Sequence, residues 1–487
     1  MTITDTTTEI STLFIGGTWC AAEHDGTFDV VNPSTGQTFA KASDASRTDV
    51  DAAVAAARAS LDGPWKTISP AERGRILWRV AELIDEHADE LAALESGDVG
   101  QPINITRGIN IPAAAEHFRY FAGWPTKIQG STNPVSIPGV LQYTRREPLG
   151  VCALIVPWNF PFMTTAWKVA PALAAGNSVV IKPAEQTPLS TIRLVELLAE
   201  AGVPDGVVNL VTGGPDAGRC LSEHSDVDKV SFTGSTAVGR EIVRASAGNL
   251  KRVTLELGGK SPSIITAKAD LDAAVAGNLM GNVLNTGQVC AAYTRFYVHS
   301  SIVEEFTEKL LAAAAELKIG AADDAATVLG PLNSAEHLAR VESYVRSARE
   351  EGASVRSVSD LPADSGGYYF APTVVTDVRD DMKIVREEIF GPVMPVMSYD
   401  DLDDLVRRAN DTDYGLAAAV WTSDLNEAHE IAARLEAGSV YVNMLPTPDP
   451  AAPWGGFKAS GWGIEMGPGA IHEYSQEKGV WIGGLAT

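Results

Sequence analysis

Between residues 150 and 265 the chain repeats one pattern four times, and that pattern restricts the fold more than any other feature. Short apolar runs at 151–156, 179–181, 207–211 and 230–232 each end in a polar turn rich in Gly or Pro, and helical stretches such as 189–201 lie between them. Runs this short, rich in β-branched residues and bounded by turn signals, read as buried strands. Strands separated by ~20 residues of helix and loop are joined by right-handed crossovers into a parallel sheet. Such sheets bind ligands outside the carboxyl ends of their strands. The turns PWNFP, KPAEQTP, TGGPDAG and TGSTAVG stand at those ends, so function is sought there first.

A chain of 487 residues exceeds one ordinary core, so at least two domains are expected. A second alternating region runs from about 258 to 455, with helices near 270–283, 301–317 and 334–351 and strands near 293–298 and 439–443. The two regions meet around the Leu-Glu-Leu-Gly-Gly stretch at 255–259. Upstream, Ser69 to Glu72 forms a capping-box pattern with Pro70 at the first helical position, followed by apolar residues at helical spacing. Thr48 to Asp51 reads as a second capping box, opening an Ala-rich helix over 49–61. The segment 131–147 and the C-terminal EKGVWIGG alternate like extended chain. Neither has a partner nearby, so each is expected to pair with a distant segment or with another subunit. No internal repeat of solenoid or propeller length is present.

The net charge of -24 argues against nucleic acid or an anionic membrane as partner. The cysteines Cys20, Cys152, Cys220 and Cys290 are sparse and lack metal-ligand spacing, so neither a disulfide framework nor a metal site is expected. The polar N-terminus MTITDTTTEIST has no basic and apolar halves of a secretory leader. No apolar run approaches the ~18 residues of a membrane span. The expected setting is cytoplasmic.

Several local patterns carry chemistry, and each alone also has a bland reading. Thr233-Gly234-Ser235-Thr236 closes a strand and opens a helix, where N–H groups and the helix dipole favour an anion. It is not GxGxxG, and alone it is as readily a plain turn. Lys182 and Glu185 follow a strand and could bind ribose hydroxyls or form a surface ion pair. Cys290 lies in a polar, Gly-containing loop, unlike Cys152 inside its apolar run. A lone Cys is more often a small core residue than a nucleophile. Glu256 sits between leucines; buried there it would gain the raised pKa of a general base, whereas alternation also lets it face solvent. Asn159, held between Pro157 and Pro161, could aim its amide at an oxyanion or cap its own turn.

Taken together, PWNFP, KPAEQTP, FTGS, LELGGKSP, GQVC, EEIFGPV and PWGGFKASG occur in the order and at roughly the spacing of the aldehyde dehydrogenase superfamily, which the chain resembles over nearly its whole length. The resemblance implies an α/β fold. It places a Rossmann-like NAD-binding domain at 1–126 and 148–257, an α/β catalytic domain at 258–459, and a small β oligomerisation ribbon at 127–147 and 470–487. It also implies Cys290 as thiol nucleophile, Glu256 as general base and Asn159 as oxyanion donor. Lys168 and Glu465 match positions discussed as a proton relay. For the cofactor it implies Lys182 and Glu185 at the adenosine ribose, Gly234 and Ser235 at the pyrophosphate, Glu388 and Phe390 at the nicotinamide ribose, and Pro157 and Trp158 alongside. The implied reaction oxidises an aldehyde to its carboxylic acid through a Cys290 thiohemiacetal and thioester. Glu256 favours hydrolysis over transfer to coenzyme A. One departure is Ile464, where the family often carries Arg before the matching Glu. The Pro-rich stretch 444–453 matches the substrate-entrance loop without the acidic or aromatic residues some relatives have there.

The carboxylate at Glu185 pairs with a free 2′-hydroxyl and repels a 2′-phosphate, so NAD ranks first and NADP second. The expected pocket comprises Phe160, Met163, Thr164 and Trp167, with Leu284, Val289 and Trp454. Its apolar and aromatic character favours a hydrophobic or aromatic aldehyde. A cage of Trp167 and Trp454 for a quaternary ammonium, as in betaine aldehyde oxidation, ranks second. A Cys-Glu-Lys hydrolase would not need KPAE, TGST or EEIFGPV, and a non-catalytic relative should have lost one of Cys290, Glu256 and Asn159. A homodimer or homotetramer is expected from the two extended segments.

Overall fold

The computed structural model describes residues 12–362 and 366–484. Residues 1–11, most of the polar N-terminal stretch, and 485–487, the end of the expected C-terminal ribbon, lie outside the described residues. Two large sheets organise the chain. The first runs in the order Thr18–Cys20, Leu13–Ile15, Val208–Leu210, Ser178–Lys182, Val151–Ile155, Lys229–Thr233, Arg252–Glu256, Gly461–Trp462. The five strands from Val208–Leu210 to Arg252–Glu256 pair in parallel, and the outer ones are antiparallel. Val151–Ile155 and Ser178–Lys182 are buried at every residue, which is why they read as unbroken apolar runs rather than alternating ones.

The chain enters the parallel region at Val151–Ile155, builds outward through 178–182 and 208–210, then returns to the other side at Lys229–Thr233. The order reverses between two neighbouring strands, and a crevice opens beyond their carboxyl ends. The turns after Ile155 and Thr233 flank that crevice. The second sheet, Ser354–Ser357, Thr373–Thr376, Val393–Tyr399, Tyr293–His299, Ser261–Ile265, Ala417–Trp421, Ser439–Val442, is parallel except at its first pair. Residues 257–260 are the direct link between Arg252–Glu256 in one sheet and Ser261–Ile265 in the other.

The two extended segments find each other: Ser475–Ile482 pairs antiparallel with Leu141–Pro148 along its whole length, and Thr132–Asn133 adds a third strand. One sequence expectation is corrected. The first long helix spans Arg47–Ser60 and is capped by Ser46 with Asp49, not by Thr48 with Asp51. Asp49 wins because its carboxylate accepts both the Ser46 N–H and the distant Glu23 N–H, which a surface residue at Asp51 cannot do. Ser69 caps Pro70–Glu86 by accepting the Glu72 N–H, with Pro70 at the first position. All four cysteines are free thiols, and among the described residues no helix is long and apolar enough to cross a membrane.

Candidate active site

A cavity of about 880 Å³ fills the crevice and reaches both sheets. Its wall includes Pro157, Trp158, Asn159, Lys182, Glu185, Gly234, Ser235, Glu256, Cys290, Glu388 and Phe390, contributed by segments far apart in the chain. Phe160, Met163, Thr164, Trp167 and Trp454 line the same cavity. Leu284 and Val289, expected in the pocket, are not part of its wall. Leu284 precedes the reversal made by Asn285 (φ 48°) and Thr286 (φ 56°), and Val289 packs against the apolar cluster that holds Phe160, Met163, Trp167 and Trp454 without itself reaching the cavity surface.

That reversal shapes the Cys290 loop. Two non-Gly residues in left-handed conformation are costly and persist only where the surroundings hold them. Asn285 donates to Asn159 O at 2.9 Å, and Thr286 donates to Gly330 O at 2.9 Å. Gly287 follows at φ 75°; a Cβ there would lie 2.3 Å from the Gly391 carbonyl carbon, so the Gly of GQVC is dictated by backbone packed on the EEIFGPV turn. Asn159 is 6% exposed, and its Nδ2 donates to Gln288 O at 2.8 Å. One amide N–H thus fixes the side chain against the Cys290 loop, and the other is left for a ligand.

Glu256 ends its strand 3% exposed, among Trp454, Lys168 and Glu465 rather than in solvent. Burial holds its carboxyl well above the usual range, the Glu465 carboxylate adds to this, and Lys168 and Trp454 oppose it. Cys290 is half-buried, and its thiol is pushed up to about 12 by burial and by Glu256 and Glu388, against the backbone N–H groups of Ala291 and Cys290. Lys168 and Glu465 do not line the cavity. They form a buried ion pair behind it, with Ser231 donating to Glu465 at 2.8 Å and Lys168 donating to Ser231 at 3.0 Å.

At the other end, Lys182 Nζ donates to Pro183 O at 2.9 Å and pairs with Glu185 at 3.5 Å. Burial lowers the Lys182 pKa, with Glu185 opposing. Ser235 caps the helix Thr236–Ser246 by accepting the Val238 N–H, which leaves its hydroxyl proton for an acceptor in the cavity. At Gly234 an added Cβ would stand 2.5 Å from the Phe232 ring, so the turn keeps bare backbone beside the crevice. These features suit a dinucleotide phosphate at a helix N-terminus. Glu388 accepts the Gly259 N–H at 3.0 Å, and burial raises its pKa while Gly259, Lys260 and Arg340 oppose.

Two wall residues, His337 and Arg340, escaped sequence reasoning. Both lie on the helix Ala335–Glu350, in no motif that points to chemistry. Burial lowers the His337 pKa to about 4, its Nε2–H donates to Phe390 O at 2.6 Å, and its ring lies 5.3 Å from Trp158. Arg340 donates to Glu388 O at 3.0 Å. Together they brace the Trp158–Phe390 pair, whose rings meet edge-to-face at 5.2 Å, with Phe390 itself at φ 64°. Arg219 and Arg244 also line the cavity and carry no sequence motif that points to it.

The model of the Aldehyde dehydrogenase family matches residues 19–480. An aldehyde dehydrogenase from Bacillus cereus, solved as its NAD+ complex, is 45% identical with a TM-score of 0.95, covering 98% of this chain and 97% of that one. The mitochondrial benzaldehyde dehydrogenase of Antirrhinum majus is 44% identical over 471 residues, 96% of this chain and 88% of its own length. Betaine aldehyde dehydrogenase from Staphylococcus aureus, solved with NAD+, is 37% identical with a TM-score of 0.95, covering 97% of this chain and 94% of that one.

Proposed function

The chain belongs to the aldehyde dehydrogenase family, and on that premise we propose that it oxidises a hydrophobic or aromatic aldehyde to the carboxylic acid with NAD. The observation that carries the reading is the convergence of Cys290, Asn159 and Glu256 on one cavity that continues to Glu388 and Glu185. The Cys290 thiol gives its proton to the Glu256 carboxylate on the same cavity wall, and the resulting thiolate attacks the carbonyl carbon to give a thiohemiacetal. The free Asn159 N–H and the Cys290 backbone N–H hold the oxyanion. Bound NAD would supply the hydride acceptor that allows oxidation to the thioester. Glu256 takes a proton from the water that cleaves this thioester, a role favoured by its raised pKa. Lys168 and Glu465, behind Glu256, are proposed to pass that proton on.

Glu185 and Lys182 would hold the adenosine ribose, Ser235 and Gly234 the pyrophosphate, and Glu388 and Phe390 the nicotinamide ribose. Pro157 and Trp158 would flank the cofactor. NAD ranks ahead of NADP because of the Glu185 carboxylate; Arg219 and Arg244 on the same wall keep NADP as the second cofactor. The NAD+ complex of the Bacillus cereus relative supports NAD as a cofactor.

The substrate end is walled by Phe160, Met163, Trp167 and Trp454, with the two indole rings 5.9 Å apart at 59°. This surface suits a flat apolar substrate, in keeping with the benzaldehyde-oxidising relative. A trimethylammonium aldehyde is the second reading, favoured by the same indole pair and by the betaine aldehyde relative. The ribbon at 127–147 and 470–487 is proposed as the contact between subunits of a dimer or tetramer, and the setting as cytoplasmic.

The test is NADH formation at 340 nm by wild type and Cys290→Ala, with NAD and aliphatic, aromatic and trimethylammonium aldehydes. Activity confined to wild type supports the class and nucleophile, and the ranking of aldehydes chooses the pocket. A mutant as active as wild type overturns the mechanism.

A further inference from the structure

The helix Pro161–Ala175 follows directly on the turn that carries Asn159, and all its residues are buried. The first N–H groups of any helix need partners. Its own N-cap is Phe160, which has no side chain able to supply one. The partner comes from a different helix, Ala88–Val99: the Glu95 carboxylate accepts the Phe162 N–H at 3.2 Å. The same carboxylate oxygen accepts the Ser190 hydroxyl at 2.7 Å, and the other accepts Asn110 Nδ2 at 3.2 Å. Glu95 is fully buried, its hydrogen-bond donors are these three, none a cation, and the other buried carboxylate it acts on is Asp98, on the same helix. Burial raises its pKa to about 7.

One turn further along, Asp98 accepts the Leu189 N–H at 2.9 Å, at the start of the helix behind Glu185. The carbonyls of Asp98 and Val99 receive Asn333 Nδ2 at 3.0 and 3.3 Å, while the Asn333 N–H donates to Gln288 Oε1 at 2.8 Å. Gln288 O is the acceptor that holds Asn159. The buried C-terminal end of one helix is therefore tied to both sides of the contact between Asn159 and the Cys290 loop, and Glu95 makes the tie on the Asn159 side.

We propose that Glu95 is a positioning residue for the reaction: its carboxylate pegs the N-terminus of Pro161–Ala175 and so aims the Asn159 amide across the cavity at the Cys290 loop. This rests on the proposed dehydrogenase reaction. A carboxylate at a helix N-terminus is favoured by the dipole, and an acceptor placed from a rigid neighbouring helix fixes the entry angle of the turn. A shift of about 1 Å in such a group can cost on the order of a hundredfold in rate.

The experiment measures the single-turnover rate of NADH formation with benzaldehyde and NAD, the Kd for NAD by fluorescence, and thermal unfolding. It compares wild type with Glu95→Met, Glu95→Asp and Glu95→Gln. Met fills the site without an acceptor; Asp folds the more readily but draws the carboxylate back; Gln keeps an amide oxygen for Phe162. Met and Asp variants are expected to lose at least about fivefold in rate with NAD affinity changed by less. Gln is expected to stay within about fivefold of wild type. A smaller loss in both Met and Asp variants, an equal loss of NAD affinity, or a Gln variant as slow as Met would overturn the proposal. A wild type that forms no NADH would instead refute the dehydrogenase reading with this aldehyde, independently of Glu95.

Discussion

Replacing Asn159 by Ala separates the chemistry proposed for its amide from the packing around it. The residue is 6% exposed, and its side chain makes one hydrogen bond to the protein, Nδ2 to Gln288 O at 2.8 Å. Its second N–H faces the cavity that holds Cys290. Loss of the Gln288 contact leaves that carbonyl with Asn285 Nδ2 at 3.5 Å, so ~1 to 3 kcal/mol of stability is at stake. Spread over a chain of this size, that is a fall in Tm of about 1 to 3 °C. Removing one oxyanion donor costs far more where charge develops: about 10²–10³ in rate, or roughly 2.7–4 kcal/mol. The assay is stopped-flow absorbance at 340 nm under single-turnover conditions, beside iodoacetamide labelling of Cys290. The rate of NADH formation should fall about 10²- to 10³-fold. Labelling, which develops no carbonyl oxyanion in the hole, should stay within about threefold. A single-turnover rate within about threefold of wild type would refute the oxyanion assignment. A collapse of labelling in step with turnover would show that the substitution had disturbed the Cys290 loop instead.

Three further outcomes are expected. With the thiol pushed up to about 12 in the free protein, Cys290 is protonated at neutral pH, so iodoacetamide labelling should rise about tenfold per pH unit from pH 7 to 9; a plateau in that window would contradict it. Glu185→Ser should weaken NAD and improve NADP, shifting the ratio of kcat/KM values by about tenfold or more towards NADP, and an unchanged ratio would remove Glu185 from cofactor choice. Light scattering should give a dimer or tetramer, and Trp481→Glu, placed at the 59% exposed Trp481 of Ser475–Ile482, should shift the mass towards the 51.5 kDa subunit; a wild-type monomer would end that proposal.

The parallel strands and the turns that follow them could be read from the chain because their determinants are local. A strand buried on both faces must be a short apolar run, and the residues after it must turn. Val151–Ile155 and Ser178–Lys182 obey this, and the crevice lies where their turns predicted. The presence of Asn159, Glu256 and Cys290 was equally legible, as residues of chemically apt type in turns and at a strand end. Tertiary structure decided what no spacing encodes. Whether Glu256 faced solvent or the interior depended on Lys168, Trp454 and Glu465, all distant in the chain, meeting around its strand end. Whether Ser46 or Thr48 capped the first helix depended on Glu23 reaching Asp49. Leu284 was excluded from the cavity by a reversal through two left-handed residues that composition does not reveal. His337 and Arg340 were invisible because their role arises only when their helix packs on Phe390 and Glu388. Glu95 is the clearest case: from its sequence neighbours it is one more helical acid, and only the fold brings it under Phe162. Local patterning determines which elements form, whereas burial and long-range hydrogen bonds determine which side chains meet, because those energies exist only once the elements have packed.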